Sequence, residues 1–242
     1  MAKISMVMFD LSGTTVYEKD GPLNSLYTAA QEFNLQTTKK EVLFHMGTNK
    51  IHLYQFLISR RKGRNIDIKD FERIKDPETY DEAKKIFNRY EELMLEHYRN
   101  ELKEVEGTSD TFRWCHEHGI KVATDTGFHH EINEFIMDGL GWIRDGLVDI
   151  AVDVEYTPVQ IGRPAPFMIF HAMAQLDVQS VHEVIKVGDT PADVLEGRNA
   201  GCIGVVVVLT GPRPVATMGK YRHTHIIPSV AELPELIESD FF

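Results

Sequence analysis

The sequence is poor in cysteine and in positive charge, and it contains no long apolar run. Its two cysteines, Cys115 and Cys202, form neither a disulfide framework nor a close metal-binding pair. The net charge is −11, which argues against non-specific binding to nucleic acid or to an anionic membrane surface. No apolar stretch approaches the roughly 20 residues needed to span a bilayer. An anionic substrate is still allowed, because a metal ion and a few cations can reverse the field locally.

The composition is that of a globular protein, with 43% hydrophobic residues in a chain of 242. This length suits one large domain, or a core with a smaller insertion. The residues Met1-Ala2-Lys3 lead directly into a strand pattern, with no secretory signal in front of it. We therefore expect a cytoplasmic protein.

The apolar pattern changes twice along the chain. A run from Ile4 to Phe9 predicts a buried strand that ends at Asp10. From about residue 21 to residue 98 the apolar residues recur at helical spacing, without a strand. After Gly107 helices and strands alternate, which predicts a doubly wound parallel sheet. The predicted fold is an α/β core of residues 1–16 plus 107–242, with an all-helical insertion of residues 17–106.

Three acidic residues are predicted at the carboxyl ends of strands, where open α/β sheets bind ligands. Asp10 ends the first strand, Asp189 follows the strand 184–187, and Asp193 starts the next helix. Such a set could hold a hard divalent cation. Taken singly, Asp189 could be a helix N-cap and Asp193 a stabilising acid in a first helical turn. The joint pattern favours a metal site.

The residues that carry these acids resemble the motifs of the haloacid dehalogenase superfamily. Residues 9–15 read FDLSGTT, which is similar to its first motif, and residues 187–193 read VGDTPAD, which is similar to its fourth. Thr126-Gly127 resembles the second motif. The resemblance spans nearly the whole chain in the family's order. It implies a Rossmann-like core and a helical cap domain, matching the predicted insertion.

The resemblance also implies roles for these residues. Asp10 would attack phosphorus and form an aspartyl phosphate. Mg²⁺ would be held by Asp10, the Ser12 carbonyl and Asp189, with support from Asp193. Phosphate oxygens would be bound by the Thr126 side chain and the Gly127 amide.

Two departures from the usual phosphatase pattern point to one branch of the superfamily. Ser12 stands where most phosphatases have a second Asp, and a hydroxyl is a poor general acid. Arg163, in the sequence GRPAP, stands where a lysine is usual. Both features resemble phosphonoacetaldehyde hydrolase and its phosphonatase-like relatives. That group also has a Met-Gly pair shortly before a Schiff-base lysine in the cap, and here Met46-Gly47 precedes Lys50.

Lys50 is predicted in the first turn of a helix that Thr48 could cap. The positive end of the helix dipole disfavours an ammonium there and favours the neutral amine that a Schiff base requires. The alternative is a solvated lysine at a helix start. Two positions depart from phosphonatase: Leu53 stands where a histidine is expected, with His52 one place early, and Phe128 replaces a tyrosine.

Three hypotheses follow for the function. The first is C–P bond hydrolysis of a small 2-oxo-alkylphosphonate through Lys50 and Asp10, in which an imine makes a proton donor at position 12 unnecessary. The second is a phosphate monoesterase acting on a small metabolite, and the third is a non-catalytic binding protein with the same fold. The cofactor would be Mg²⁺, the partner a small phosphonate or phosphate rather than nucleic acid or membrane, and the resemblance suggests a homodimer through the cap helices.

Overall fold

The computed structural model describes residues 4–45, 49–68, 76–157 and 161–241. It divides the chain into two compact units, one formed by Met1–Lys19 with Glu101–Phe242 and the other by Asp20–Asn100. Within the described ranges, no helix combines the length and the apolar character needed to cross a membrane.

The larger unit is built on a parallel sheet of six strands in the order β3-β2-β1-β4-β5-β6. Strands β1, β4 and β5 are buried at every residue, as expected for central strands covered on both faces. The predicted doubly wound sheet is confirmed. The strands are β1 Met6–Asp10, β2 Lys121–Asp125, β3 Ile150–Val152, β4 Val184–Gly188, β5 Gly204–Val208 and β6 His225–Ile227.

The regular elements described in the smaller unit are all helices. Its core includes Leu26 and Tyr54, and the Tyr54 hydroxyl donates to the Leu26 carbonyl at 3.3 Å. An ion pair of Glu32 with Arg89, at 2.7 Å, joins its first and last helices. These helices are α1 Gly21–Glu32, α2 Lys39–Phe44, α3 Lys50–Arg61 and α4 Pro77–Glu101.

Helices of the larger unit cover both faces of its sheet. On one face, Met168 and Val194 pack with Met6, Met8 and other buried residues of the strands. On the other face, the rings of Phe9 and Phe112 lie 5.0 Å apart in an edge-on contact. These helices are α5 Thr108–Glu117, α6 His130–Leu140, α7 Phe167–Gln175, α8 Pro191–Ala200, α9 Val215–Met218 and α10 Leu233–Asp240.

The two segments that connect the units pair with each other inside the larger unit. The Tyr17 N–H donates to the Lys103 carbonyl at 2.9 Å, and the Val105 N–H donates to the Thr15 carbonyl at 2.8 Å. These bonds tie residues on both sides of the predicted 17–106 insertion to the core. The compact helical unit spans Asp20–Asn100, which lies within the predicted insertion of residues 17–106.

Helix α3 begins at Lys50, so Lys50 lies in the first turn as predicted, but the residue that caps the helix is not the predicted one. Asn49 is the N-cap, and its side-chain oxygen accepts the N–H groups of Ile51 and His52 at 2.9 and 3.2 Å. Asn and Thr are both good N-cap residues, and the helix starts one residue later than a Thr48 cap would give. Met46, Gly47 and Thr48 lie outside the described residues.

Candidate active site

Asp10 lies at the carboxyl end of β1, where a tight loop holds its backbone. The Thr15 hydroxyl donates to the Asp10 carbonyl at 2.8 Å. The Leu11 carbonyl accepts the N–H groups of residues 14, 15 and 16 at 2.8–3.1 Å. Gly13 in this loop has a φ of +84°, and a Cβ there would lie 2.9 Å from the Asp189 carboxylate. Glycine is therefore required at this position both by backbone conformation and by space.

Asp189 lies beside Asp10, because β4 is the neighbour of β1 in the sheet. The Thr14 hydroxyl is 3.2 Å from Asp10 Oδ2 and 3.3 Å from Asp189 Oδ1. A hydroxyl donates one proton at a time, so Thr14 can serve only one of these two carboxylates at once. Thr14 was not among the site residues predicted from the sequence.

Asp193 caps a helix and also contacts the cation of the site. One carboxylate oxygen accepts the Thr190 N–H at 3.0 Å and completes a capping box at the start of α8. The other oxygen is in contact with the Arg163 guanidinium. The cap fixes the backbone position of Asp193 while its second oxygen faces the other acids.

Arg163 is the cation of this cluster, and its side chain is only 12% exposed. Its Nη1 donates to Asp10 Oδ1 at 2.7 Å and also contacts Asp193. Burial alone would lower the pKa of Arg163, but the carboxylates of Asp193, Asp10 and Asp125 reverse this effect and raise it. The guanidinium therefore stays charged beside the carboxylate of Asp10.

The buried acids repel one another, and this affects their protonation. Burial raises the pKa of Asp10 to about 6, against the opposing charge of Arg163. Burial also raises the pKa of Asp189 well above its usual range, and the charges of Asp10 and Asp193 add to that shift. Burial would raise the pKa of Asp193 too, but Arg163 and Lys186 bring it below its ordinary value.

The carboxylates of Asp10, Asp189 and Asp193 fit a metal ion. Their ligand oxygens lie within 4.8 Å of one another, and all three residues are buried. Oxygen ligands of this kind suit a hard divalent cation, which would relieve the mutual repulsion of the acids. The cluster predicted from the strand ends is thus brought together by the fold.

The second motif lies at the end of β2, next to β1. Thr126 is buried, and its side-chain oxygen accepts the Phe128 N–H at 3.1 Å, which leaves its own proton free to donate. Gly127 is exposed, and a Cβ there would lie 3.8 Å from Arg163 Nη2. Thr126-Gly127 therefore lies on the side of the cluster that Arg163 occupies.

Three further charged residues are buried next to this cluster and escaped the sequence analysis. Lys186 lies in β4, Asp125 ends β2 and Glu196 is in α8, all with no measurable exposure. The signal for Lys186 was a lone cation within an otherwise apolar strand. Gly197 packs against this lysine, and a Cβ at position 197 would come within 2.9 Å of the Lys186 Cβ.

Four further residues were predicted for the site: Ser12, Lys50, Met46 and Gly47. Ser12 is half-buried in the loop that follows Asp10. Lys50 is half-buried at the first position of α3, in the helical unit. Met46 and Gly47 are predicted substrate contacts that fall outside the described residues.

The cluster and the sheet identify the class of protein. Residues 7–207 match the haloacid dehalogenase-like hydrolase family, and the chain belongs to that family. Among curated relatives, it is 31% identical over 219 residues to a phosphonoacetaldehyde hydrolase of Parabacteroides distasonis, covering 86% of this chain and 77% of the relative.

Solved structures show the same fold at lower identity. A phosphonoacetaldehyde hydrolase-like protein of Oleispira antarctica superimposes with a TM-score of 0.73 at 19% identity, covering 97% of this chain and 91% of its own. A protein described as a predicted phosphoglycolate phosphatase of Haemophilus somnus has a TM-score of 0.73 at 19% identity, with coverage of 98% and 99%. At this identity the likeness concerns the fold alone.

Proposed function

We propose that the protein hydrolyses the C–P bond of a small 2-oxo-alkylphosphonate, with Asp10 as nucleophile and Lys50 as the amine that forms a Schiff base. The observation that carries this proposal is the surroundings of Asp10. A buried carboxylate is held by Arg163 among further acids, while the residue two places later is Ser12 and not an acid. The similarity to phosphonoacetaldehyde hydrolases supports it.

The proposed chemistry explains why no acid is needed at position 12. The Lys50 amine condenses with the substrate carbonyl and releases water, and the protonated imine becomes an electron sink. As the Asp10 carboxylate attacks phosphorus, the C–P electron pair moves into the imine and leaves as an enamine. No alkoxide forms, so no leaving oxygen has to be protonated. Water then hydrolyses the aspartyl phosphate, and the enamine takes up a proton and is hydrolysed to free the lysine.

The phosphonate oxygens need cationic and N–H or O–H donors. In the proposed site these are the Arg163 guanidinium, the Thr126 hydroxyl and the Gly127 amide. The proposed contacts of Met46 and Gly47 with substrate rest on the resemblance of their motif. Such donors are needed because the phosphonate is a dianion, which the protein's overall charge of −11 would otherwise repel.

The metal in this proposal is Mg²⁺, held by Asp10, the Ser12 carbonyl and Asp189, with Asp193 as support. When bound, it would neutralise the repulsion between the nucleophilic carboxylate and the phosphonate. Carboxylate oxygens are the ligands that this ion prefers.

Mg²⁺ should stabilise the protein more at pH 7 than at pH 5. Burial raises the pKa of Asp10 to about 6, so its unfavourable effect on folding grows as pH rises from about 4 through 6. Mg²⁺ competes with protons for the same carboxylates. At 100 times its Kd, we expect the ion to raise Tm at pH 7 by about 5–10 °C, and by clearly less at pH 5.

The measurement is thermal unfolding with MgCl₂ or with EDTA at each pH. Asp189→Asn should lose most of the shift, whereas Asp138→Asn, at an exposed site on α6, should keep it. Equal Mg²⁺ shifts at both pH values would contradict a site built on Asp10.

Reductive trapping tests the Schiff base directly. The protein is incubated with phosphonoacetaldehyde and sodium borohydride, and the modified peptide is located by mass spectrometry. We expect one stoichiometric adduct on Lys50, accompanied by loss of activity, because borohydride reduces the imine to a stable secondary amine. Lys84, an exposed lysine of α4, serves as an internal control and should stay unmodified.

Two other outcomes would count against the proposal. Turnover of phosphonoacetaldehyde with Lys50 unmodified would exclude the imine. Mg²⁺-dependent release of phosphate from phosphate esters, without any adduct or phosphonate turnover, would instead identify a phosphate monoesterase.

A further inference from the structure

Lys186 and Asp125 form a fully buried ion pair beside the candidate site. The Lys186 Nζ lies 2.5 Å from both carboxylate oxygens of Asp125. Neither side chain has measurable exposure. Both residues lie outside the motifs that predicted the site.

The sheet register explains how two distant residues meet. Asp125 is opposite Asp10 across β1 and β2, and Lys186 is opposite Met8 across β1 and β4. Side chains alternate along a strand, so residues 8 and 10 of β1 lie on one face with both partners. The Lys186 stem runs along this face next to Gly197, where a Cβ would leave it no room.

Each member of the pair also contacts a residue of the site. The Lys186 Nζ lies 3.4 Å from Asp193 Oδ1. Asp125 Oδ1 lies 3.8 Å from Arg163 Nη1, the atom that contacts Asp10. The pair therefore borders the two groups whose placement the nucleophile depends on.

Stability alone is a weak reason for such a pair. The desolvation of two buried charges offsets most of their attraction, and apolar residues of similar volume often give equal or greater stability. Here the pair contacts a guanidinium that has three carboxylates within 4 Å of one nitrogen. Such a guanidinium can pair with any of the three carboxylates unless the neighbouring side chains are held in place.

We propose that Asp125 and Lys186 are positioning residues, which hold Arg163 against Asp10 and hold Asp193 in the acid cluster. Asp125 is fixed by two bonds from Lys186 and so gives Arg163 a rigid third carboxylate. Lys186 shares Asp193 with Arg163 and limits how far its free oxygen can turn. The inference rests on the proposed function only in taking the bound anion to be a phosphoryl group.

The test removes the pair without changing net charge, using the double variant Asp125→Val/Lys186→Met. Binding of MgCl₂, and then of inorganic phosphate to the Mg²⁺-loaded protein, is measured by calorimetry. We expect phosphate affinity to fall by about 10- to 100-fold and Mg²⁺ affinity to fall less, as when partners of site residues are removed. Thermal unfolding checks the fold. A folded double variant with both affinities within twofold of the original would overturn the proposal.

The single variant Asp125→Asn tests the proposal by the direction in which phosphate affinity changes. It is the deciding variant if the double variant does not fold. Removal of a negative charge would by attraction alone strengthen phosphate binding. Weaker binding would therefore report lost positioning, whereas unchanged or stronger binding would overturn the proposal. Asp138→Asn is the matched control, because it makes the same chemical change at an exposed site on α6. It should bind phosphate normally.

Different results would contradict the proposed function and the positioning role of Asp125 and Lys186. A wild-type protein that binds Mg²⁺ but no phosphate would contradict the proposed function. The Mg²⁺ titration of the double variant would then still test whether Lys186 positions Asp193.

Discussion

Asp10→Asn should abolish turnover, with a loss of at least about 10⁴-fold in kcat, because no other group can take over a covalent step. An amide nitrogen or oxygen is a poor nucleophile at phosphorus, and the aspartyl phosphate cannot form. The exchange is nearly isosteric in a site where Thr14 and Arg163 surround the side chain. The assay is release of inorganic phosphate from phosphonoacetaldehyde at saturating Mg²⁺.

The fold should survive this substitution. Burial raises the pKa of Asp10, so a neutral amide removes an unfavourable charge and should leave Tm unchanged or higher. Asp138→Asn changes the same functional groups at an exposed position and should keep full activity. If Asp10→Asn retained more than about 1% of kcat, Asp10 would not be the nucleophile.

Much of the fold could be predicted from sequence because the determining signals are local. The apolar runs that end at Asp10 and before Asp189 predict buried strands, and their alternation with amphipathic helices predicts the parallel sheet. The limits of the insertion are harder to predict, since hydrogen bonds between residues 15–17 and 103–105 lie at both of them. Those bonds join segments nearly ninety residues apart, and periodicity carries no information about them.

Site residues at the ends of strands could be predicted from the sequence. Residues that join the site through tertiary contacts could not. Asp10, Asp189 and Asp193 are brought together because parallel strands end at the same edge of the sheet. The partner of Lys186 lies 61 residues away, across the intervening β1. A lysine in an apolar strand indicates that a buried acidic partner is present, but the sequence does not identify which acid it is.

Lys50 decides between the two catalytic hypotheses, and substitutions there should separate them. In both Lys50→Ala and Lys50→Arg, C–P cleavage should fall by about 10³-fold or more, because neither side chain can form an imine. Arginine retains the positive charge and most of the length. Equal losses in the two variants would therefore point to a covalent role, whereas substantial activity in Lys50→Arg would point to a purely electrostatic one.

Mg²⁺ binding and the constants kcat and KM show whether the loss of C–P cleavage arises at Lys50 itself. Lys50 is not among the proposed metal ligands, so Mg²⁺ binding to either variant should match the original protein. Lys84→Ala, in the same helical unit, should leave kcat and KM unchanged. If Lys50→Ala kept phosphonate cleavage within tenfold of the original, the imine would not be on the reaction path. The serine at position 12 would then need another explanation, because without the imine the departing carbon would leave as an enolate, which is a poorer leaving group than the enamine.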